Sequence, residues 1–462
     1  MSDRIQRAAA QTTEEDIDRL NTLLDQVRLD GMPARVVTQA KRAVLDGICA
    51  MVLGSGETDV PDIEAFLESS GEPEGDCTVV GRTVRRGFLA AGFANAALCQ
   101  THDANDGFAP DGSVGRLLHP GRIVIPAALA IGEWYGLTGQ AFLELVIQGY
   151  EIGWRVVGLP NSDGRSAYIP SLLLGRVLGL SLEKLVNAVA LALYHAPAFF
   201  KGRYTGKGLD DFSLAQGRSV RVGLESALLA DAGFRCPSIE GHPGRNFTVD
   251  LDSALKAYAV ERLYFKPYPA CRSIHGAAEA AVRIARSNDF NCRDIESVTV
   301  ELADQAMYTA IPIDMTSVNR ITAAANPRYV TACALLDGEV RLQRFRDSAL
   351  KDPAVFDLVS KIDVRENADF SSRYGHEGRP TRVTVRLCDG RTLSNDVAYA
   401  KGAPDNPLTD RELSEKLALY SPAGLSVSAQ SDLIECIDRL EHLDTLSEVA
   451  GILRYSARMQ KH

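Results

Sequence analysis

Residues 98–126, LCQTHDANDGFAPDGSVGRLLHPGRIVIP, decide how the rest of the chain is read. Two apolar, small-residue stretches of helical character flank them, FLAAGFANAAL at 88–98 and AALAIGEWYG at 127–136. Between the two, His102, Asp103, Asn105, Asp106, Asp111 and His119 gather with little apolar filler. Placing ionisable groups between buried helices is costly unless they are paired. A solvated loop carrying helix caps would draw on the same residue types. The triplet His119-Pro120-Gly121, at the mouth of the second helix, favours the other reading, because an imidazole there is aimed into a cleft beside the carboxylates. The segment is the expected active-site loop, and a helical core surrounds it.

Working outward, apolar positions recur at helical spacing over residues 33–53, with a stop expected at Gly54. A short helix is expected over 61–67, with Pro61 in its first turn. Stretches 123–134 and 139–157 have almost no polar face, which marks central helices. Helices continue over 172–193, with Ser181 as an N-cap, and over 211–232, ended by Gly233. His195, in LALYHAPAFF, reads first as a core histidine.

The pattern changes near Lys266. SVTVEL (297–302) alternates as a half-buried strand does, and TRVTVRL (381–387) and 391–397 are joined through Asp389-Gly390, a type I′ hairpin signal. Helices are expected at 273–287 and 328–336, then again at 409–419 and 428–440. The predicted fold is mainly α. A large all-α domain (1–265) is followed by an α+β segment (266–402), and C-terminal helices (403–462) pack back on the first domain.

Composition narrows the function. The chain has 462 residues, 45% hydrophobic and 24% charged, and a formal charge of -10, so no basic stripe suits nucleic acid. Nine cysteines without CxxC pairs fit free thiols in a reducing compartment. The N-terminal residues lack a hydrophobic signal core, and no apolar run approaches the ~20 residues needed to span a bilayer, so a cytoplasmic protein with no membrane partner is expected.

GxGxxG after a strand, GxxxxGK[ST], HExxH and GxSxG are all missing. His102, Asp103, Asp106 and His119 lack the spacing of a metal site, so neither metal nor cofactor is expected. What remains is acid–base chemistry. A second ionisable cluster, KPYPACRSIH at 266–275, puts Lys266, Arg272 and His275 within ten residues, with Ser273 able to cap the following helix. It reads either as a hinge with surface cations or as a carboxylate clamp beside a histidine. Negative charge builds on a substrate as a proton leaves beside its carboxylate, and such cations would stabilise it.

Seven segments in register then resemble the MmgE/PrpD family: NAALCQTHDANDG, HPGRIVIPAALAIGE, RVLGLSLEKLVNAVALA, LLADAGFRCPSIEG, KPYPACRSIHGAAEA, NPRYVTACALLDG and PDNPLTDRELSEK. The resemblance covers residues 35–416. It implies an all-α domain, an α+β lid, a homodimer, no metal, and a small polycarboxylate substrate in the cleft between them. The family includes 2-methylcitrate dehydratase, cis-aconitate decarboxylase and iminodisuccinate epimerase. On its LDFDDT element fall His102-Asp103-Ala104-Asn105-Asp106-Gly107, so Asp103 takes the place of the first functional aspartate. The resemblance puts the family's later histidines on His119 and His275 and its active-site tyrosine on Tyr329. Two family residues are missing: NSDGRSAYIPSLLLGRVLGL has no histidine, leaving Arg165 and Tyr168, and DFSLAQGRS replaces a lysine element, with Lys201, Arg203 and Lys207 just upstream.

The reading implied is a cofactor-independent lyase, most simply a dehydratase, with Asp103, His119, His275 and Tyr329 as catalytic residues. One histidine removes a proton α to a carboxylate, and Asp103, Tyr329 or the other histidine acts as acid. His102, Asp106, Lys207, Lys266 and Arg272 bind substrate. Epimerisation of an amino- or imino-dicarboxylate, decarboxylation of a cis-aconitate-like acid, and a non-catalytic carboxylate binder are the alternatives.

Overall fold

The computed structural model describes residues 13–57, 62–109, 119–157, 166–196, 211–237, 247–250, 258–316, 318–374 and 379–457. Lys207, with Asp111, Arg165, Lys201, Arg203, His242 and His376, lies outside them. The first half of the chain is a stack of helices: α1 (Thr13–Asp25), α2 (Ala34–Gly56), α3 (Ile63–Ser69), α4 (Phe88–Cys99), α5 (Gly121–Trp134), α6 (Gly139–Arg155), α7 (Tyr168–Val177), α8 (Leu182–His195) and α9 (Asp211–Asp231). Buried side chains from Ile17 to Phe265 form one core, and the C-terminal residues Leu408 to Ala457 join it.

The α+β part holds a separate core running from Ala270 to Ala400. The short strands β1 (Glu74–Thr78), β2 (Arg85–Arg86), β3 (Gly107–Phe108), β4 (Val156–Val157), β5 (Thr248–Val249) and β6 (Leu263–Tyr264) precede it, and its own sheet has four strands, β7 (Ile295–Leu302), β8 (Ile362–Glu366), β9 (Thr381–Leu387) and β10 (Thr392–Val397), in the order β10-β9-β7-β8. β7 pairs antiparallel with β9 and parallel with β8. Helices α10 (His275–Ser287), α11 (Arg320–Ala324), α12 (Pro327–Asp337), α13 (Pro353–Val359) and α14 (Ala368–Tyr374) complete this unit. After it come α15 (Asp410–Tyr420), α16 (Val427–Asp438) and α17 (Ser447–Leu453). Thr409 and Glu412 form a reciprocal capping box on α15, which starts the helix where its dipole favours acids.

Several local expectations are corrected. α2 does not stop at Gly54 but runs to Gly56. Gly54 serves close packing instead, since a Cβ there would stand 2.1 Å from the Leu98 carbonyl oxygen. The β9–β10 connection is not type I′, which needs positive φ at both central residues. Only Gly390 has positive φ (89°), and Leu387 N donates to Arg391 O, closing a three-residue loop with a glycine bulge. Ser273 does not cap α10; Ile274 holds that position without a side-chain bond. His195 is exposed in the last turn of α8, where a polar side chain costs nothing. Among the described residues no helix is long and apolar enough to cross a membrane, and none of the nine cysteines is paired.

Candidate active site

Two strands of two residues each bring the distant clusters together. β3 (Gly107–Phe108) pairs antiparallel with β6 (Leu263–Tyr264), placing Gly107 opposite Tyr264. Ala109 N extends the ladder by donating to Arg262 O at 3.0 Å. The turn 102–106 therefore ends beside the segment that leads into Lys266.

Lys266 is fully buried and donates from Nζ to Asp103 Oδ1 at 2.5 Å. Burial alone would raise the Asp103 carboxyl, but the Lys266 ammonium, helped by Arg122, outweighs it and holds the group down at about 2. Asp103 is a carboxylate at any working pH.

His119 stands just before α5. Its Nδ1 lies 3.1 Å from Asp106 O and 3.3 Å from Tyr264 Oη. A carbonyl only accepts, so Nδ1 carries the proton and Nε2 keeps the lone pair. Burial, then the charges on Lys266 and Arg122, push the imidazolium form down to about 3. His275 mirrors this with the nitrogens exchanged: Nε2 faces Ala270 O at 2.8 Å, and Nδ1 is buried with no hydrogen-bond partner. Burial first, then Arg272 and Lys266, hold it neutral, while Asp103 pulls the other way. Both rings are neutral bases with one nitrogen pinned to the backbone.

Asp106 has a supporting place. Tyr150 Oη donates to its Oδ2 at 2.5 Å and Gly121 N donates to its Oδ1 at 3.0 Å. Burial, then the nearby Asp46 charge, raises it to about 7. Both oxygens are engaged, so Asp106 ties the loop to α5 and α6 rather than reaching for a substrate. Asn105, where the family carries an aspartate, donates from Nδ2 to Gln100 Oε1 (2.9 Å) and Cys99 O (3.3 Å). A carboxylate there has no proton to give. Arg122 donates to the same Gln100 oxygen at 2.7 Å.

Beneath the loop, Lys416 from α15 donates to Asp46 Oδ1 (2.5 Å) and to Ala104 O (2.7 Å). Both side chains are buried. His102 turns away from Asp103; its Nε2 lies 3.3 Å from Glu57 Oε2, and Glu57 also receives Arg346 at 2.8 Å from the α+β part.

The structure thus gathers Asp103, His119, Lys266, Arg272 and His275, with Arg272 stacked 4.9 Å over the Tyr264 ring. Tyr329 is not brought to this group. Its hydroxyl donates to Arg344 O at 2.6 Å and its ring packs on Phe345 and Phe356 inside the α+β core. His102 is engaged with Glu57, as described. Tyr168 is buried against Phe247. Among residues not singled out from the sequence are Tyr264, Tyr150, Asp46, Lys416, Glu57 and Arg379. Tyr264 had a usable signal: it shares strand parity with Lys266 in LYFKP. Among the described residues no three His, Cys, Asp or Glu side chains gather to hold a metal.

A model of the MmgE/PrpD N-terminal domain matches residues 18–244, and one of the MmgE/PrpD C-terminal domain matches residues 268–442. The chain is 26% identical to a cis-aconitate decarboxylase of Aspergillus terreus over 92% of each chain. It is 23% identical to the Homo sapiens cis-aconitate decarboxylase over 94% of this chain and 93% of the relative. A 2-methylcitrate dehydratase of Escherichia coli is 24% identical over 67% of this chain and 70% of its own. With matched segments in both halves, and with the acidic turn and the lysine–histidine segment meeting in one buried cluster, the chain belongs to the MmgE/PrpD family.

Proposed function

We propose that the protein is a cofactor-independent lyase that dehydrates a small di- or tricarboxylate. The observation that carries this reading is a buried ammonium, Lys266, paired with Asp103 and flanked by two neutral imidazoles whose free nitrogens have no carbonyl to serve. A proton on the carbon α to a carboxylate passes to the lone pair of His275 Nδ1 or His119 Nε2. The electron pair left behind is drawn toward the carboxylate by Lys266, then forms the double bond as the C–O bond breaks. Lys266 gives the departing oxygen its proton, so water leaves, and the imidazolium returns that proton to the amine. Asp103 holds Lys266 in place by its hydrogen bond.

The α+β part, residues 266–402, acts in this reading as a lid on the helical body, and the Glu57–Arg346 pair is one contact between them. A homodimer in the cytoplasm fits the family resemblance and the nine unpaired thiols.

A second reading, decarboxylation of a cis-aconitate-like acid, is favoured by the relatives that align along more than nine tenths of the chain. The same ammonium would then hold the acid while a C–C bond breaks and a proton is added to carbon. Proton NMR of incubations with citrate, 2-methylcitrate, cis-aconitate and tartrate-like diacids tests both. An unsaturated acid formed from a hydroxy acid supports dehydration, and carbon dioxide release from cis-aconitate supports the second reading. Inert substrates throughout the panel would refute both.

A further inference from the structure

Arg272 and Arg379 lie close to each other, and among the described residues neither forms an ion pair with a carboxylate. Arg379 donates from Nη1 to the hydroxyl of Ser273, the residue after Arg272. The backbone there is held close: a Cβ on Gly276 would stand 2.6 Å from Thr381 Oγ1 and 3.3 Å from the Arg379 carbonyl oxygen. Arg272 covers the Tyr264 ring and donates from Nη2 to Ala400 O at 3.3 Å. The neighbouring acids are committed elsewhere. Asp103 serves Lys266, while Glu279 receives Arg283 and, at 2.7 Å, Lys401 N. Arg379 Nε is buried without a hydrogen-bond partner, as is His275 Nδ1.

We infer that Arg272 and Arg379 form a second carboxylate subsite, distinct from Lys266, so that the enzyme selects acids long enough and charged enough to reach both. This deepens the function proposed above and rests on it. Lys266 keeps two further N–H donors beyond the one given to Asp103, enough for one end of a substrate. A guanidinium fork matches the two oxygens of a second carboxylate, and two such forks around one anion relieve their mutual repulsion. Burial first, and then Arg379 against the opposing pull of Tyr264, bring Arg272 down to about 10.

Calorimetric titration of the full chain with two unreactive acids tests the inference, propane-1,2,3-tricarboxylate and butyrate, whose single carboxylate is met by Lys266 alone. The tricarboxylate should bind the unmodified protein more tightly than butyrate. Arg379→Gln should weaken tricarboxylate binding about tenfold or more, the equivalent of one charge-assisted hydrogen bond, with butyrate changed less than about twofold. Arg272→Gln should do the same, and Arg379→Lys, which keeps the charge and loses the fork, should fall between. Unaltered tricarboxylate affinity in either Gln variant, or equal losses for both acids, overturns the subsite. Should Arg379→Gln not fold, unaltered affinity in Arg379→Lys does so. Because binding is read without turnover, inert substrates with an intact tricarboxylate preference would sink the lyase reading alone.

Discussion

The Lys266 ammonium meets the Asp103 carboxylate at 2.5 Å across 163 residues of chain, and His119 and Tyr264, in contact with each other, lie close to that carboxylate. Neither charge sits in this place by local preference. The two-residue pairing of β3 with β6 delivers Asp103, and the same strand delivers Lys266 two residues after Tyr264. A buried pair of this kind contributes little net stability, but removing one partner strands the other.

Asp103→Asn, and separately Lys266→Met, should each lower stability by about 3–5 kcal/mol, because each leaves an unpaired polar or charged group in a dry site. The double variant should recover part of that loss in thermal unfolding while turnover stays reduced. His275→Ala should lower turnover by about 100-fold or more with the unfolding midpoint little changed. Wild-type turnover in both Asp103→Asn and His275→Ala would remove these residues from the mechanism.

His119 has its proton affinity depressed from 6.5 to about 3. Between those values the unfolded chain binds a proton that the folded one refuses, so its contribution to stability falls as pH drops through that window. His119→Asn keeps a donor near the Nδ1 position and abolishes the titration. Relative to wild type, the variant should gain roughly 2–3 kcal/mol between pH 7.5 and 4.5 in denaturant unfolding. Asp106, raised to about 7, has the opposite sign. Its favourable contribution is lost as pH rises through that value, so Asp106→Asn should gain on wild type between pH 4 and 7. Parallel pH profiles for wild type and His119→Asn would contradict the neutral, buried imidazole.

Gly121 is held against Asp106, and a Cβ there would stand 2.3 Å from Oδ1. The clash is with a carboxylate clamped by Tyr150, which has nowhere to move. Gly121→Ala should destabilise by about 1–3 kcal/mol and lower turnover through His119, two positions away. An unchanged melting temperature would mean that Asp106 yields freely.

Lys416 acts from the far end of the chain. Lys416→Met leaves Asp46 buried and unpaired, at a cost of about 3–5 kcal/mol, and Asp46→Leu in the same chain should restore most of it. It also releases the Ala104 carbonyl, next to Asp103. Turnover should therefore stay low in the double variant after stability returns. Recovery of both together would show that Lys416 supports the fold and not the loop.

Much of this protein could be read locally. The helix periods, the cap at Ser181 and the strands around Val300 and Val385 follow from patterns that repeat within a few residues. The two chemical segments announced themselves because imidazoles, acids and a lysine stood where a core or a simple loop would not put them. Tyr329 became a candidate through the resemblance alone: a tyrosine at a helix start gives no sign of whether its ring faces a cleft or, as here, the α+β core.

What the chain determined alone was its periodicity and its list of candidate groups, since backbone hydrogen bonding and side-chain alternation depend on near neighbours. Which charges became partners was settled by the tertiary structure. Lys416 looks like any polar position of an amphipathic helix, Arg379 like a loop arginine, and Asp46 like an interruption in an apolar run. A charge can stay buried only opposite its partner, and those partners come from segments hundreds of residues away, as with Asp46 and Lys416.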